Sequence, residues 1–368
     1  VGSMGPDPRY MREAIAQALK GKGRTHPNPC VGAVVVRDGM VMGKGYHKGP
    51  GRPHAEVEAL KEAGGEARGA DLYVTLEPCN VFGRTPPCTK AIVAAGITRV
   101  FAAGSDPNPQ VCGRGSEELS KAGVEVVMGF LEDEARAVDL AYHAYHLNRR
   151  PYVHLKIAQS LDGRVTSSAG GYLTGVEARK RVHEDRFLSD AVLVSAGTVI
   201  ADDPLLNVRM EKLRKSLVRV ILDSRCVITG HEAIFRTCPG DGPVWVVRPE
   251  GKTPPEVAGM EGVEVLPLPR LESGGFPLTS ILALLHRKRV VELYVEAVGR
   301  LSGAFLSERY VDRISIHLAP VLVGGERQPG PVDGFVPGRE LRLEKARWTQ
   351  AGDDWIVTAP LEGRCLPA

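Results

Sequence analysis

The chain has 368 residues, a length that suits two domains, each able to bury its own core. With 43% hydrophobic and 25% charged residues it has the composition of an ordinary globular protein, and a net charge of +3 demands neither a nucleic-acid nor a membrane partner. No apolar run reaches the roughly eighteen residues of a membrane span, and seven scattered cysteines without a signal-peptide pattern speak against a disulfide framework, so a cytoplasmic protein is expected. Val1-Gly2-Ser3 ahead of Met4 reads as an expression scar and is set aside.

In chain order, residues 10–19 carry apolar side chains at helical spacing and stop at Gly21-Lys22-Gly23. The loop His26-Pro27-Asn28-Pro29 follows. Residues 31–36 form a β-rich run, Asp38-Gly39 signals a hairpin, and 41–46 is the returning strand. A helix opened by His54 is carried by Val57, Leu60 and Ala63. Residues 72–76 make a short strand that delivers Glu77-Pro78-Cys79 at its end, where α/β folds gather their site loops. Pro86-Pro87 fits the first turn of a helix reaching Ala95. Strands at 100–103 and 124–127 flank a helix at 116–122, and 132–148 is expected as one helix before Arg149-Arg150-Pro151 breaks the pattern. The domain boundary is placed there, giving 4–150 and 151–368. Strand candidates at 152–158, 191–195, 218–222, 244–247, 263–266, 290–295 and 313–318, with helical stretches between several of them, predict a second α/β domain. Pro and Gly clusters at 249–255, 267–277 and 324–338 are expected as surface loops.

The chemistry concentrates between His54 and Cys88. One imidazole and two thiolates, from His54, Cys79 and Cys88, make a three-ligand zinc set whose fourth position stays open to water, the layout of a catalytic site. Glu56 stands just beyond, where it can take a proton from that water and deliver it later. A His-x-Glu followed by Pro-Cys is the pattern of zinc deaminases, so hydrolytic loss of ammonia from an amino-heterocycle is expected. A structural zinc beside a solvated glutamate is the bland alternative, but a closed site wants a fourth ligand and none of the right type is near. Iron or cobalt suits the same donors. A nucleic-acid base deaminase would want a basic channel with stacking aromatics; the near-neutral charge and 5% aromatic content weigh against it. Cys30, Cys112, Cys226, Cys238 and Cys365 are left as free thiols.

The first half resembles the cytidine-deaminase-like superfamily, and more narrowly the bifunctional deaminase/reductase family of riboflavin biosynthesis. Ordinary members of the superfamily set the two cysteines two residues apart; here eight residues separate them, and Gly83-Arg84-Thr85-Pro86-Pro87 within that insertion is the narrower family's mark. His26-Pro27-Asn28-Pro29, Gly45-Tyr46-His47, Asp106-Pro107-Asn108-Pro109 and Gly113-Arg114-Gly115 resemble it too. The resemblance implies an N-terminal cytidine-deaminase-like α/β/α sandwich with His54, Cys79 and Cys88 on zinc and Glu56 as the catalytic proton shuttle. It also implies that Asn28, His47, Arg84 and Thr85 line a pyrimidine and its ribose phosphate. Asn28 offers donor and acceptor to a pyrimidine edge, and Arg84 suits a phosphate. Asn80-Val81-Phe82 departs from the family's usual Ser-His pattern after the first cysteine, so altered substrate contacts are expected there.

The second half resembles the family's reductase domain, of dihydrofolate-reductase-like α/β fold, in Lys156-Ile157-Ala158-Gln159-Ser160-Leu161-Asp162-Gly163 and in the run 198–209. Ile221-Leu222-Asp223-Ser224, Val295-Glu296, Ala319-Pro320 and Gly324-Gly325 match as well. The implied activity is NADPH-dependent reduction of ribosyl to ribityl. By the same resemblance Ala158, Tyr172, Thr198, Asp202, Ser224, Val298 and Gly299 fall at cofactor positions, and Gly170, Arg186, Leu206, Arg209 and Glu296 at substrate positions, with Lys156 orienting the sugar. Arginine forks suit a phosphate. Two departures stand out: Ala297-Val298-Gly299 replaces a glycine-rich turn, where a β-branched residue crowds a close pyrophosphate, and Gly170-Gly171-Tyr172 replaces a serine and a tryptophan. The rival reading is a deaminase whose second half serves structure or dimerisation. A small-molecule partner and a homo-oligomer are expected, without nucleic acid or membrane.

Overall fold

The computed structural model describes residues 5–83, 86–166, 170–210, 214–252, 259–325, 330–335 and 340–361. The chain divides into two units, Val1–Arg149 and Arg150–Ala368.

In the first unit, Asp7 accepts a hydrogen bond from the Arg9 N–H and Pro8 occupies the first turn, so helix α1 (Pro8–Leu19) begins where its free N–H groups are met. Strands β1 (Gly32–Arg37) and β2 (Met40–Tyr46) are joined through Asp38 and Gly39, at φ 52° and 77°, as a tight hairpin requires. There follow α2 (Ala55–Ala63), β3 (Asp71–Val74), α3 (Cys88–Ala94), β4 (Arg99–Ala102), α4 (Arg114–Lys121), β5 (Glu125–Met128), α5 (Glu132–Arg136) and α6 (Leu140–Asn148). The sheet order is β2-β1-β3-β4-β5, antiparallel around β1 and parallel from β3 onward. Alternate residues of β1 serve opposite faces. Ala33 and Val35 pack with Ala59 of α2 and Ile92 of α3, whereas Val34 and Val36 pack with Met11 of α1 and Ala135 of α5. The unit is therefore an α/β/α sandwich. Gly43 and Gly45 on β2 let α2 lie close, since a Cβ there would stand 2.3 and 2.2 Å from carbonyl oxygens of that helix.

The second unit holds β6 (Tyr152–Ser160), α7 (Val176–Leu188), β7 (Ala191–Ser195), α8 (Ala196–Asp202), β8 (Val218–Leu222), α9 (Ala233–Arg236), β9 (Val244–Pro249), β10 (Val263–Leu268), α10 (Leu278–Arg287), β11 (Glu292–Glu296), α11 (Arg300–Ser307), β12 (Arg313–Ala319), β13 (Arg347–Ala351) and β14 (Asp354–Pro360). Its nine strands run in the order β10-β9-β8-β7-β11-β6-β12-β14-β13, parallel from β10 to β12, with the β13–β14 hairpin closing one side antiparallel. Both faces are covered, as a largely parallel sheet needs. Leu155, Leu293 and Val295 pack with Ile281 of α10 and Phe305 of α11, and Val192, Val194 and Ile221 pack with Val182 of α7 and Val199 of α8. β11 returns between β7 and β6, so the crevice beyond the carboxyl ends of these strands falls where the strand order reverses.

Four expectations are corrected. Residues 132–148 are two helices, because Asp139 caps the second one and ends the run. Pro86 and Pro87 precede α3 instead of forming its first turn; Pro87 is its cap and Cys88 its first residue. The β13–β14 hairpin has no counterpart among the predicted strands: β13 is an edge strand, exposed along most of its length, and lacks the apolar alternation that marks a half-buried one. Pro267, assigned to a loop, ends up inside β10, which as an edge strand tolerates the missing N–H.

Candidate active sites

His54 stands at the N-cap of α2 and Cys88 opens α3, a positive helix end that favours a thiolate, while Cys79 lies on the loop after β3. The Thr89 N–H donates to the Cys79 carbonyl at 3.2 Å, which ties the two cysteines together. Nδ1 of His54 is 3.2 Å from Sγ of Cys88 and 3.4 Å from Sγ of Cys79, and the sulfurs are 3.5 Å apart. Around a tetrahedral zinc, donors of these types stand about 3.5–3.8 Å from one another. The three groups therefore fit one ion, and among the described residues no second cluster of three His, Cys, Asp or Glu donors does so. The hydrogen bond with Cys88, then the one with His54, draws the Cys79 thiol well below its ordinary range against its burial. Glu56, 3% exposed, lies on the first turn of α2; burial, with the Cys79 charge beside it, raises its carboxyl to about 6, in the range of a working proton carrier.

His47 packs edge-on against His54 with ring centres 5.2 Å apart. Its Nδ1 lies 3.1 Å from the Pro53 carbonyl and so carries the proton; its Nε2 then accepts from the Asn28 amide at 3.1 Å. Burial lowers the His47 pKa, so the imidazole is neutral. Asn28 and His47 thus stand together beside the metal donors. Arg84 and Thr85 lie outside the described residues. In the departing segment Phe82 is 71% exposed, with the Lys90 ammonium 4.7 Å above its ring, and Asn80 Oδ1 is buried with no hydrogen-bond partner.

Glu77 was not among the predicted site residues. Its buried carboxylate accepts from the Gly113 N–H (2.9 Å), the Ser116 N–H (3.0 Å) and the Ser116 hydroxyl (3.1 Å), capping α4 from a distant part of the chain. A Cβ at Gly115 would lie 1.9 Å from the Pro78 carbonyl oxygen, so α4 touches the cysteine loop directly. An acidic residue two places before Cys79 together with Gly113-Arg114-Gly115 was the available signal, and their separation in sequence hid it.

In the second unit Lys156 on β6 pairs in register with Glu296 at the end of β11 and with Ser315 on β12. Burial lowers the Lys156 pKa, opposed by the Glu296 charge. Arg186 on α7 grips Glu296 with Nε at 2.6 Å and Nη2 at 3.0 Å, and its Nη1 donates to the Asn207 carbonyl at 3.1 Å. Burial opposes ionisation of Glu296, but the guanidinium outweighs it and holds the pKa below the usual carboxylate range. The Arg186 fork is thus engaged with a carboxylate of its own chain. Leu206 is 3% exposed, packs in the core and has φ 51°, a backbone conformation that residues other than glycine seldom adopt. Arg209 is exposed, its N–H 3.2 Å from Nδ1 of His183 on α7.

Ala158 lies on β6, Thr198 in the first turn of α8 with its N–H on the Ser195 hydroxyl, Asp202 at the end of α8, and Ser224 in the turn after β8. All four follow or line the parallel strands near their carboxyl ends. Gly170 has φ 75° with open space around it, and Tyr172, 76% exposed, carries the Arg179 guanidinium 4.8 Å over its ring. Gly299 caps α11 at φ 65°, and its N–H lies within hydrogen-bonding distance of both the Gly330 and Pro331 carbonyls (3.1 and 3.2 Å). That N–H is engaged within the chain, and Val298, 37% exposed, stands at the rim.

No helix among the described residues is long and apolar enough to cross a membrane. Residues 4–103 match the cytidine and deoxycytidylate deaminase zinc-binding region, and 151–357 match the RibD C-terminal domain. The riboflavin biosynthesis protein RibD of Aquifex aeolicus is 42% identical over 353 residues, covering 95% of this chain and 97% of the relative. That of Escherichia coli is 38% identical, covering 87% and 89%. Among solved structures, Acinetobacter baumannii RibD aligns with TM-score 0.86 at 36% identity over 96% of this chain and 98% of its own. A diaminohydroxyphosphoribosylaminopyrimidine deaminase/5-amino-6-(5-phosphoribosylamino)uracil reductase from Thermotoga maritima aligns with TM-score 0.82 at 33% identity and the same coverage. With a zinc-deaminase region and a reductase domain matched in one chain, and relatives alike over nearly its whole length, the protein belongs to the RibD family of bifunctional riboflavin-biosynthesis enzymes, zinc-dependent deaminases joined to NADPH-dependent reductases.

Proposed function

We propose that residues 4–150 deaminate 2,5-diamino-6-(5-phosphoribosylamino)pyrimidin-4-one and that residues 151–368 then reduce its ribosyl side chain to ribityl. The observation that carries this reading is the convergence of His54 Nδ1, Cys79 Sγ and Cys88 Sγ beside a buried Glu56. Held by those three donors, zinc supplies the Lewis acidity that makes a water nucleophilic near neutral pH. Glu56 takes the proton that this water loses and hands it to the departing amine, a task its raised pKa suits. Asn28 and His47 hold the pyrimidine edge, and Arg84 and Thr85 the ribose phosphate.

In the reductase, NADPH supplies the hydride, lined by Ala158, Thr198, Asp202 and Ser224, with Tyr172 stacking on a ring and Val298 and Gly299 at the border. Lys156 orients the sugar. Glu296 receives a sugar hydroxyl while Arg186 keeps its carboxylate charged and in place. Arg209, exposed, takes the phosphate contact, and Leu206 and Gly170 contribute backbone. The reading extends to a cytoplasmic homo-oligomer that acts on a small molecule, without nucleic acid or membrane.

One assay tests both halves: zinc-loaded protein with the diaminopyrimidine ribotide and NADPH, following ammonia and NADPH together. Ammonia release followed by stoichiometric NADPH oxidation is expected. Ammonia without NADPH oxidation would refute the reductase assignment, and neither signal from metal-loaded protein would refute the substrate.

A further inference from the structure

Residues 104–150 fall between the two matched regions, yet Asp139 from that segment reaches the loop that carries Asn28. Asp139 is 8% exposed. Its Oδ2 accepts from the Cys30 N–H at 2.9 Å, and its Oδ1 accepts from the Tyr142 N–H at 3.1 Å and lies 3.2 Å from Nε2 of His26. His26 and Cys30 bracket Asn28, so one carboxylate grips both ends of the turn. Within that turn the Asn28 N–H donates to the Thr25 carbonyl at 2.9 Å, and the Thr25 hydroxyl meets Cys30 Sγ at 3.1 Å. The far end of the same helix start is tied down as well, since the Tyr142 hydroxyl donates to Asp106 at 2.9 Å. Burial works against the Asp139 charge, but His26 and the two backbone N–H groups outweigh it and keep the carboxylate ionised.

We propose that Asp139 is the positioning residue of the pyrimidine pocket: it sets the Asn28–His47 pair beside the metal donors, and so makes the segment after the zinc-binding region part of substrate recognition. This rests on the reading of Asn28 and His47 as substrate contacts. Asp139 also caps α6, so the break that divides 132–148 into two helices is the same feature that shapes the pocket. The grip needs two acceptor oxygens facing three donors at once, and α6 itself carries no carboxylate. Asparagine at this place would keep one acceptor and turn an N–H₂ group toward a donor.

The test compares zinc-loaded wild type with Asp139→Asn, His26→Gln and Tyr142→Phe. It reads zinc content, kcat and KM for ammonia release from the ribotide, and hydrogen exchange at the Asn28 and Cys30 amides. For Asp139→Asn a KM increase of about tenfold or more is expected, equivalent to about 1.4 kcal/mol, with kcat within about twofold, zinc retained and both amides exchanging faster. His26→Gln keeps the α6 cap intact and serves if Asp139→Asn does not fold; a smaller KM increase, about threefold, is expected. Tyr142→Phe removes the hydroxyl's bonds with Asp106 and Asn108 but keeps the N–H that Asp139 accepts from, and is expected to leave KM unchanged. An unchanged KM and unchanged amide exchange in the Asp139 and His26 variants would overturn the proposal, as would a loss of kcat and zinc in step with KM. If wild type releases no ammonia, the substrate reading fails, and amide exchange alone still decides whether Asp139 holds the loop.

Discussion

In the deaminase unit the reacting groups lie close along the chain, between His54 and Cys88, and two helix starts and one strand end bring them within 3.5 Å of each other. The reductase candidates stretch from Lys156 to Gly299 over the ends of four parallel strands, and two of the strongest, Arg186 and Glu296, meet each other first. A metal cage is a short-range object whose ligand types name its chemistry. A hydride site is a surface assembled by a sheet, and a residue's role there depends on what its neighbours already occupy.

The sharpest way to separate the two units is Glu56→Gln. Ammonia release should fall by about 10³-fold, the scale of a lost general acid–base, with zinc content unchanged. NADPH oxidation by the same variant, fed the deaminated ribotide, should equal wild type. Equal loss of both activities would mean that the two chemistries are not independent.

A smaller effect should appear as a pH limb confined to the reductase. Burial lowers the Lys156 pKa, so an ammonium needed for the reaction is present below that pKa and lost as pH rises through it. The alkaline limb of NADPH oxidation should therefore fall below the ordinary lysine value of about 10.4, and Lys156→Arg should remove it from the accessible range. A limb at the ordinary value would show that Lys156 does not govern the step.

The smallest effect belongs to Val298→Gly. Relief of crowding at the rim favours NADPH, but added backbone freedom of roughly 0.5–1 kcal/mol works against it, and the Gly299 N–H is already engaged with the Gly330 and Pro331 carbonyls. NADPH should bind more tightly by about threefold at most, as read by fluorescence titration. A tenfold gain would mean that Val298 stands in the pyrophosphate path.

Much of the fold was legible locally. The β1–β2 hairpin announced itself through Asp38-Gly39, and the second-unit strands β6 to β12 through short apolar runs, because a sheet covered on both faces asks for such runs. The edge strand β13 was not legible, since an exposed strand carries no apolar alternation to read, whereas the buried run Ile356-Val357 of β14 was there to be read and was passed over. The cage and Glu56 were legible from residue type and spacing. The occupied fork of Arg186 was not, because its partner lies on another element and only the sheet brings it near. That the Leu206 side chain turns into the core was not legible from its neighbours in the chain.

The sequence alone determined two α/β units, the His54, Cys79 and Cys88 cluster and the Glu56 carboxyl beside it, because ligand chemistry and hydrophobic period are properties of short stretches. Only the tertiary structure decided that Glu77 caps α4, that Asp139 grips the Asn28 loop, and that Arg186 serves Glu296 before any phosphate. Each of these is a buried charge satisfied by groups far away in the chain, and no local pattern records which distant donor a carboxylate will meet.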